Sequence, residues 1–221
     1  MRRYLPFLIV ATVALITLGS GLFLYRAKRP ALPSSKSSTT PAADETRGLH
    51  VRGSAAAPVT LEEFGDFECP PCGTMSGVLH GAEEKYGARL RLIFHQFPLA
   101  MHVHAREAAL ASEAAHLQGR FWEMHDLLYQ EQPIWTKAPD VPSLFNSYAG
   151  KIGLDVDRFK KDMQGTEAKT RVAMDQKLGT ARGVTSTPTI FINNVILPPT
   201  SLNPKDLHAA IDAALNEKTV R

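Results

Sequence analysis

The chain has two cysteines, Cys69 and Cys72, set in the run Phe64-Gly-Asp-Phe-Glu-Cys69-Pro-Pro-Cys72-Gly73. Two thiols at that spacing can exchange disulfides, hold half of a metal site, or simply pack. Exchange needs a thiolate that attacks and a second thiol close enough to resolve the mixed disulfide. The surrounding pattern provides both positions. Residues 59–64 are an apolar run that reads as a strand leading to the motif. Cys72, Met75, Leu79, Ala82 and Tyr86 then recur at helical steps until Gly87 ends the run. Cys69 therefore falls at a helix N-terminus, where free amides and the macrodipole favour an anion. Cys72 falls one turn later, on the face turned to the core. Cys69 is expected to be the exposed nucleophile and Cys72 its shielded partner. A four-ligand structural metal site usually brings a second cysteine pair, which this chain lacks, although His102 and His104 could in principle complete one. Redox chemistry is the favoured reading.

Two further features bear on that chemistry. Glu63 shares strand parity with Val59 and Leu61, so its carboxylate should point where apolar groups point. A desolvated acid there could take and return the proton of Cys72. Its neighbour Glu62, on the opposite face, is the competing acid. Far downstream, Thr187-Pro188 opens a strand over residues 189–193, although proline cannot donate to a sheet ladder. Gly73, Gly77 and Gly81 form a stripe on the cysteine helix, each costing about 1 kcal/mol against alanine. Close packing against another element is the expected compensation.

The positioning elements follow from periodicity. Residues 49–52 suggest a short first strand, and 89–97 another, ended by Pro98. His95, His102 and His104 gather near its end and read as hydrogen-bonded or solvated histidines rather than metal ligands. Residues 104–182 are mostly helical. Ala105, Ala108, Ala109, Ala111 and Ala115 form a tight face, Phe121, Met124, Leu127 and Leu128 a second, and runs over 154–163 and 166–182 two more helices. Thr166 is expected to open the last of these and Gly183 to close it. A short strand over 195–197 and a helix from Asn203 through Leu207, Ile211 and Leu215 complete the chain.

Taken together, Cys69-Pro-Pro-Cys72 between strand and helix and Val184-Thr-Ser-Thr-Pro188-Thr-Ile-Phe-Ile192 downstream resemble the DsbA-like thiol–disulfide oxidoreductases. Ala57-Pro-Val-Thr-Leu, Phe97-Pro-Leu, His102 and Gly119-Arg-Phe-Trp-Glu-Met-His-Asp-Leu extend the likeness over about residues 49–217. The resemblance implies an α/β thioredoxin-like fold with an inserted helical subdomain at about residues 103–183, and no cofactor. It places Thr187 and Pro188 in a cis-proline loop beside the cysteines, where a substrate backbone docks. It also places Glu63 where the family has a glutamate beneath the active site. The implied partners are unfolded or reduced exported proteins and a membrane quinone-linked re-oxidase. The sequence departs from the family at Val103, where a proline often follows the histidine, and at Pro71, where histidine, tyrosine or serine is commoner. Neither Pro70 nor Pro71 has an N–H to offer the Cys69 sulfur. The Cys69 pKa should therefore lie above that of DsbA, at about 3.5, and below that of a free thiol.

The charge balance points the same way. Of 25 basic and 22 acidic residues, positions 1–47 hold seven and two, leaving 18 and 20 for the remainder. A slightly acidic domain has no basic footprint for nucleic acid. The positive charge flanks an uncharged stretch of 22 residues, 4–25, which as a helix spans roughly 33 Å. The expectation is an uncleaved signal anchor and single-pass transmembrane helix over 1–26. A Pro/Ser/Thr-rich tether follows over 27–48, with a reach of about 25 Å. The catalytic domain would then sit at the cell membrane on its extracytoplasmic side, periplasmic or outer-face, where disulfides persist. A dithiol oxidase is the expected activity. A reductase or isomerase on the same fold, and a metal-handling protein such as a copper chaperone using Cys69, Cys72 and a histidine, are the alternatives.

Overall fold

The computed structural model describes residues 50–219. The expected anchor over 1–26 and tether over 27–48 lie outside the described residues. Among the described residues, no helix is long and apolar enough to cross a membrane.

Five strands, β1 (His50–Gly53), β2 (Val59–Gly65), β3 (Leu90–Gln96), β4 (Thr189–Ile192) and β5 (Val195–Ile196), form one sheet in the order β1-β3-β2-β4-β5. β2 and β3 run parallel, and every other neighbouring pair is antiparallel. A parallel pair needs a crossover, and α1 (Pro70–Tyr86) provides it. Its apolar positions bury Cys72, Met75, Leu79, Ala82 and Tyr86, and Gly87 takes the left-handed φ of 54° at its end. Between β3 and β4 come α2 (Ala105–His116), α3 (Phe121–Gln130), α4 (Gln132–Trp135), α5 (Val141–Lys151), α6 (Val156–Gln164) and α7 (Thr166–Ala181). The last helix, α8 (Pro204–Thr219), returns to the sheet. This is the thioredoxin-like α/β fold with a helical insertion that the sequence implied.

Each face of β2 has its own core. Val59 and Leu61 pack with Met75 and Leu79 of α1 and Leu207 and Ile211 of α8. Phe64, on the other face, packs with Val184, Phe191 and Phe97. The insertion has a third core, in which the alanine face of α2 meets Met124, Leu128, Trp135 and Phe145; this core reaches Phe67 and both cysteines. The cysteine pair thus sits at the seam between sheet domain and insertion.

One local expectation needs correction. The glycine stripe does not mark one packed seam. A Cβ at Gly73 would fall 2.7 Å from Gln132 Oε1, whereas Gly77 and Gly81 have nothing within 4 Å. Only Gly73 is required by a close approach. Thr166 opens α7 as its first helical residue, as expected, and Gly165 before it holds the cap position without a side-chain hydrogen bond. By contrast, α5 and α6 are capped by Asp140 and Asp155, which accept from Ser143 N and Arg158 N.

Candidate functional site

Cys69 is the N-cap of α1, with extended dihedrals of φ −72° and ψ 116°, and Pro70 and Pro71 occupy the first helical positions. The Cys69 amide donates to Asp66 O at 3.1 Å, and its carbonyl accepts from Cys72 N at 3.0 Å. Gln132, from α4, donates Nε2 to Phe67 O at 2.6 Å and to Cys69 O at 2.9 Å, clamping the turn from the insertion side. The missing side chain at Gly73 makes room for that clamp. Both cysteines are free thiols.

The expected contrast in exposure is smaller than the sequence suggested. Cys69 is 5% exposed and Cys72 0%. The loop before β4 covers Cys69: its thiol donates to Thr187 O at 3.4 Å, and the Thr187–Pro188 bond is cis. Beside this contact lies an open, largely apolar groove of about 640 Å³, lined by Pro70, Pro71, Thr74, Thr187, Pro188 and Leu202 among others. Thr187 and Pro188 are thus brought to Cys69 as the resemblance implied.

The asymmetry of the pair lies in its electrostatics. The Cys72 thiol, hydrogen-bonded to the Cys69 sulfur, is the largest influence holding the Cys69 pKa down to about 6. The Thr187 side chain and the Cys72 amide add to it, while burial and the Asp66 carboxylate oppose it. Burial, the same hydrogen bond and the charge of Glu63 push Cys72 the other way, well above a free thiol. One sulfur is ready to be a thiolate near neutral pH and its partner is held as a thiol.

Glu63 is 1% exposed, and neither carboxylate oxygen has a hydrogen-bond partner. Burial, followed by the charge of Cys69, raises its pKa to about 8. Glu62 takes the opposite course. It accepts from Arg182 Nη1 at 2.7 Å and meets His95 Nε2 at 3.1 Å. Burial works against its charge, but His95 and Arg182 prevail and hold its pKa down to about 2.

The three histidines that gather in sequence part in space. His102 Nδ1 bonds Asp66 Oδ2 at 2.7 Å, His104 Nδ1 meets Glu107 at 3.2 Å, and His95 lies between Glu62 and Asp175. Among the described residues, the cluster of metal-ligand types that does form is His50, Glu113 and Asp175, without either cysteine. There, the Glu113 oxygens already face His50, Gln96 and Arg171 at 2.6–2.9 Å.

Sequence reasoning missed three residues of the site. Asp66 is 1% exposed and takes Glu68 N, Leu99 N and His102, which orders the approach to Cys69. An Asp two residues before the amide it caps is a readable Asx-turn signal. Gln132 and Tyr129 carry no comparable signal, because Gln132 bonds the cysteine turn from more than 60 positions away and the Tyr129 hydroxyl lies against Gly65, at the end of β2, from a similar distance in sequence.

Comparison with known proteins adds an independent line. A family model described as thioredoxin matches residues 45–213. Among solved structures, oxidised BdbD from Bacillus subtilis superposes with a TM-score of 0.69 at 25% identity, covering 77% of this chain and 95% of that one. Pseudomonas aeruginosa DsbA2 gives 0.59 at 26% identity, over 74% and 93%. Wolbachia pipientis α-DsbA1, at 21% identity and a TM-score of 0.68, shares the fold over 78% and 93%. A curated sequence relative is the Na(+)/H(+) antiporter NhaA 1 of Mycolicibacterium gilvum, 40% identical over 149 residues. That match takes in 65% of this chain but 23% of the antiporter, so the chain spans less than a quarter of that relative's length.

Proposed function

The chain belongs to the thioredoxin family as a DsbA-like thiol–disulfide oxidoreductase, and from that premise we propose that it is a dithiol oxidase for exported proteins. A substrate thiolate attacks the Cys69 sulfur of the Cys69–Cys72 disulfide. The sulfur–sulfur bond breaks, and Cys72 leaves with the electron pair and takes a proton from Glu63. A second substrate thiolate then attacks the substrate sulfur of the mixed disulfide. Cys69 departs as a thiolate, the substrate gains a disulfide, and the enzyme keeps two electrons as its dithiol. A membrane quinone-linked re-oxidase would accept those electrons. The groove beside Thr187 and Pro188 suits an extended, apolar peptide.

The observation that carries this reading is the low Cys69 pKa of about 6 beside a Cys72 held as a thiol. A stabilised thiolate is a good leaving group and stabilises the reduced form, which makes the disulfide an oxidant. The proposal includes the anchor over 1–26, the tether over 27–48 and a DsbA-like domain over 49–217 on the extracytoplasmic side. Reductase or isomerase chemistry would use the same atoms in reverse. Alkylation trapping of the two thiols in cells separates the directions: a mostly oxidised pair is expected, and a mostly reduced pair would overturn the oxidase reading.

A further inference from the structure

In the proposed mechanism Glu63 exchanges one proton for each opening or closing of the cysteine pair, yet its side chain is buried. Its strand neighbour on the same face is Gly65, about 6.6 Å away. A Cβ at Gly65 would fall 2.9 Å from Tyr129 Oη and 2.5 Å from the Phe94 ring. The bare backbone therefore lets a tyrosine hydroxyl from α3 lie against Gly65, on the face of β2 that carries Glu63. That hydroxyl is buried and has no hydrogen-bond partner, as is true of both Glu63 oxygens, so the two groups are not bonded to each other and a proton passing between them needs a bridging water.

Tyr129 also borders a second opening. Between α1 and α3 runs a groove of about 360 Å³, lined by Gly73, Gly77, His125, Tyr129 and Asp126 among others. One water takes about 30 Å³ of liquid volume, so the groove has room for several. His125, one helical turn before Tyr129, packs edge-to-face on it with ring centroids 5.0 Å apart. Its Nδ1 donates to Asp126 Oδ1 at 2.8 Å, which leaves Nε2 as a bare acceptor; that atom is buried and unpaired too. Burial and the nearby charges of Cys72, Glu63, Asp66 and Cys69 hold the Tyr129 pKa well above an ordinary phenol, so its hydroxyl stays both donor and acceptor.

We propose that Tyr129 is a proton-relay residue, passing the Glu63 proton through its hydroxyl to water in the α1–α3 groove, which serves as the proton outlet of the active site. This rests on the reading of Glu63 as the acid–base partner of Cys72. In the closing direction, Cys72 gives its proton to Glu63 and attacks Cys69. The Cys69–Cys72 bond forms, and the bond from Cys69 to the outside sulfur breaks, releasing a thiolate. Glu63 then passes its proton across one bridging water to Tyr129 Oη, which gives up its own to groove water. The opening direction reverses each transfer.

The test is single-turnover closing of the Cys69–glutathione mixed disulfide, followed from pH 6 to pH 8, the interval between the Cys69 and Glu63 values. Glu63→Gln should slow closing about 100-fold, and Tyr129→Phe, which keeps the ring, about tenfold. Gly77→Leu puts a side chain into the groove where nothing lies within 4 Å, and should also slow closing about tenfold. Neither Tyr129→Phe nor Gly77→Leu should move the Cys69 thiolate titration, and both should flatten the pH profile of closing. A purely structural role would lower thermal stability and leave that profile unchanged, which would overturn the inference. Slow closing in Glu63→Gln with wild-type closing in both other variants would overturn the relay alone. Wild-type closing in Glu63→Gln would overturn the acid–base reading and the relay with it.

Discussion

Glu62 and Glu63 follow one another on β2, opposite Ile93 and Phe94 of β3 and Phe191 and Ile190 of β4. They point to opposite faces of one sheet, and both are largely removed from water. Arg182 and His95 meet the first, which stays ionised down to about pH 2; nothing meets the second, which holds its proton up to about pH 8. Burial pushes both in the same direction, so the partner decides the outcome. The chain keeps its cation on the face turned from the cysteines. A paired carboxylate braces the sheet but has no use for a proton near neutral pH. An unpaired one, buried and held protonated up to about pH 8, has a proton to give in that range, as the proposed exchange with Cys72 requires, at a cost in stability.

The largest effects should come from the sulfurs that the Glu63 face serves. Cys69→Ala should abolish exchange and trap no substrate. Cys72→Ala should accumulate mixed disulfides, visible as reducible adducts on non-reducing gels. Equal trapping by both variants would remove the asymmetry that gives Glu63 its role.

The next effect separates the two acids by stability. The folded-state pKa of Glu63 is raised from 4.5 to about 8, so the native state loses stability as pH rises through that interval. At about 1.4 kcal/mol per pKa unit, the loss reaches about 4–5 kcal/mol. Denaturant unfolding should therefore find Glu63→Gln more stable than wild type by a few kcal/mol above pH 8, with little difference near pH 4. Glu62 has the opposite sign. Its depressed pKa contributes stability above 4.5 that is lost as pH falls toward 2. Glu62→Gln should cost about 1–3 kcal/mol at neutral pH by leaving Arg182 and His95 short of a carboxylate. Its exchange rates should match wild type.

The smallest effect concerns the helix tip. Pro70 and Pro71 leave the Cys69 sulfur to the Cys72 thiol and amide and to Thr187. The resulting poise should lie between those of thioredoxin and DsbA, at about −270 and −120 mV. Pro71→His adds a positive charge and should raise the potential by about 30 mV, which corresponds to about 1.4 kcal/mol. Equilibration with glutathione at several ratios measures it.

What the sequence disclosed was local. Strand parity was enough to put Glu63 on the apolar face, because β-strands alternate whatever packs on them. The helix register placed Cys69 at the N-terminus and Cys72 inward, and the two prolines implied an intermediate thiol pKa. What it concealed came from distant chain. Cys69 is covered because residues 118 positions away fold over it. Gln132 clamps the cysteine turn from 63 positions away. The glycine stripe misled for the same reason: spacing locates Gly73, Gly77 and Gly81 on one face, but only tertiary packing brings Gln132 to one of them. That Arg182 would neutralise Glu62 and leave Glu63 alone, across 120 positions, is likewise no property of either glutamate's neighbours.

The most direct test is a carbon-13 NMR titration of the glutamate side-chain carboxyls in the dithiol protein, with Glu62→Gln and Glu63→Gln used for assignment. Glu63 should titrate with a midpoint near 8, while Glu62 stays ionised down to about pH 2. A Glu63 midpoint in the ordinary range, near 4.5, would mean that the acid beneath Cys72 is already ionised at working pH, and the division of labour along β2 would be wrong.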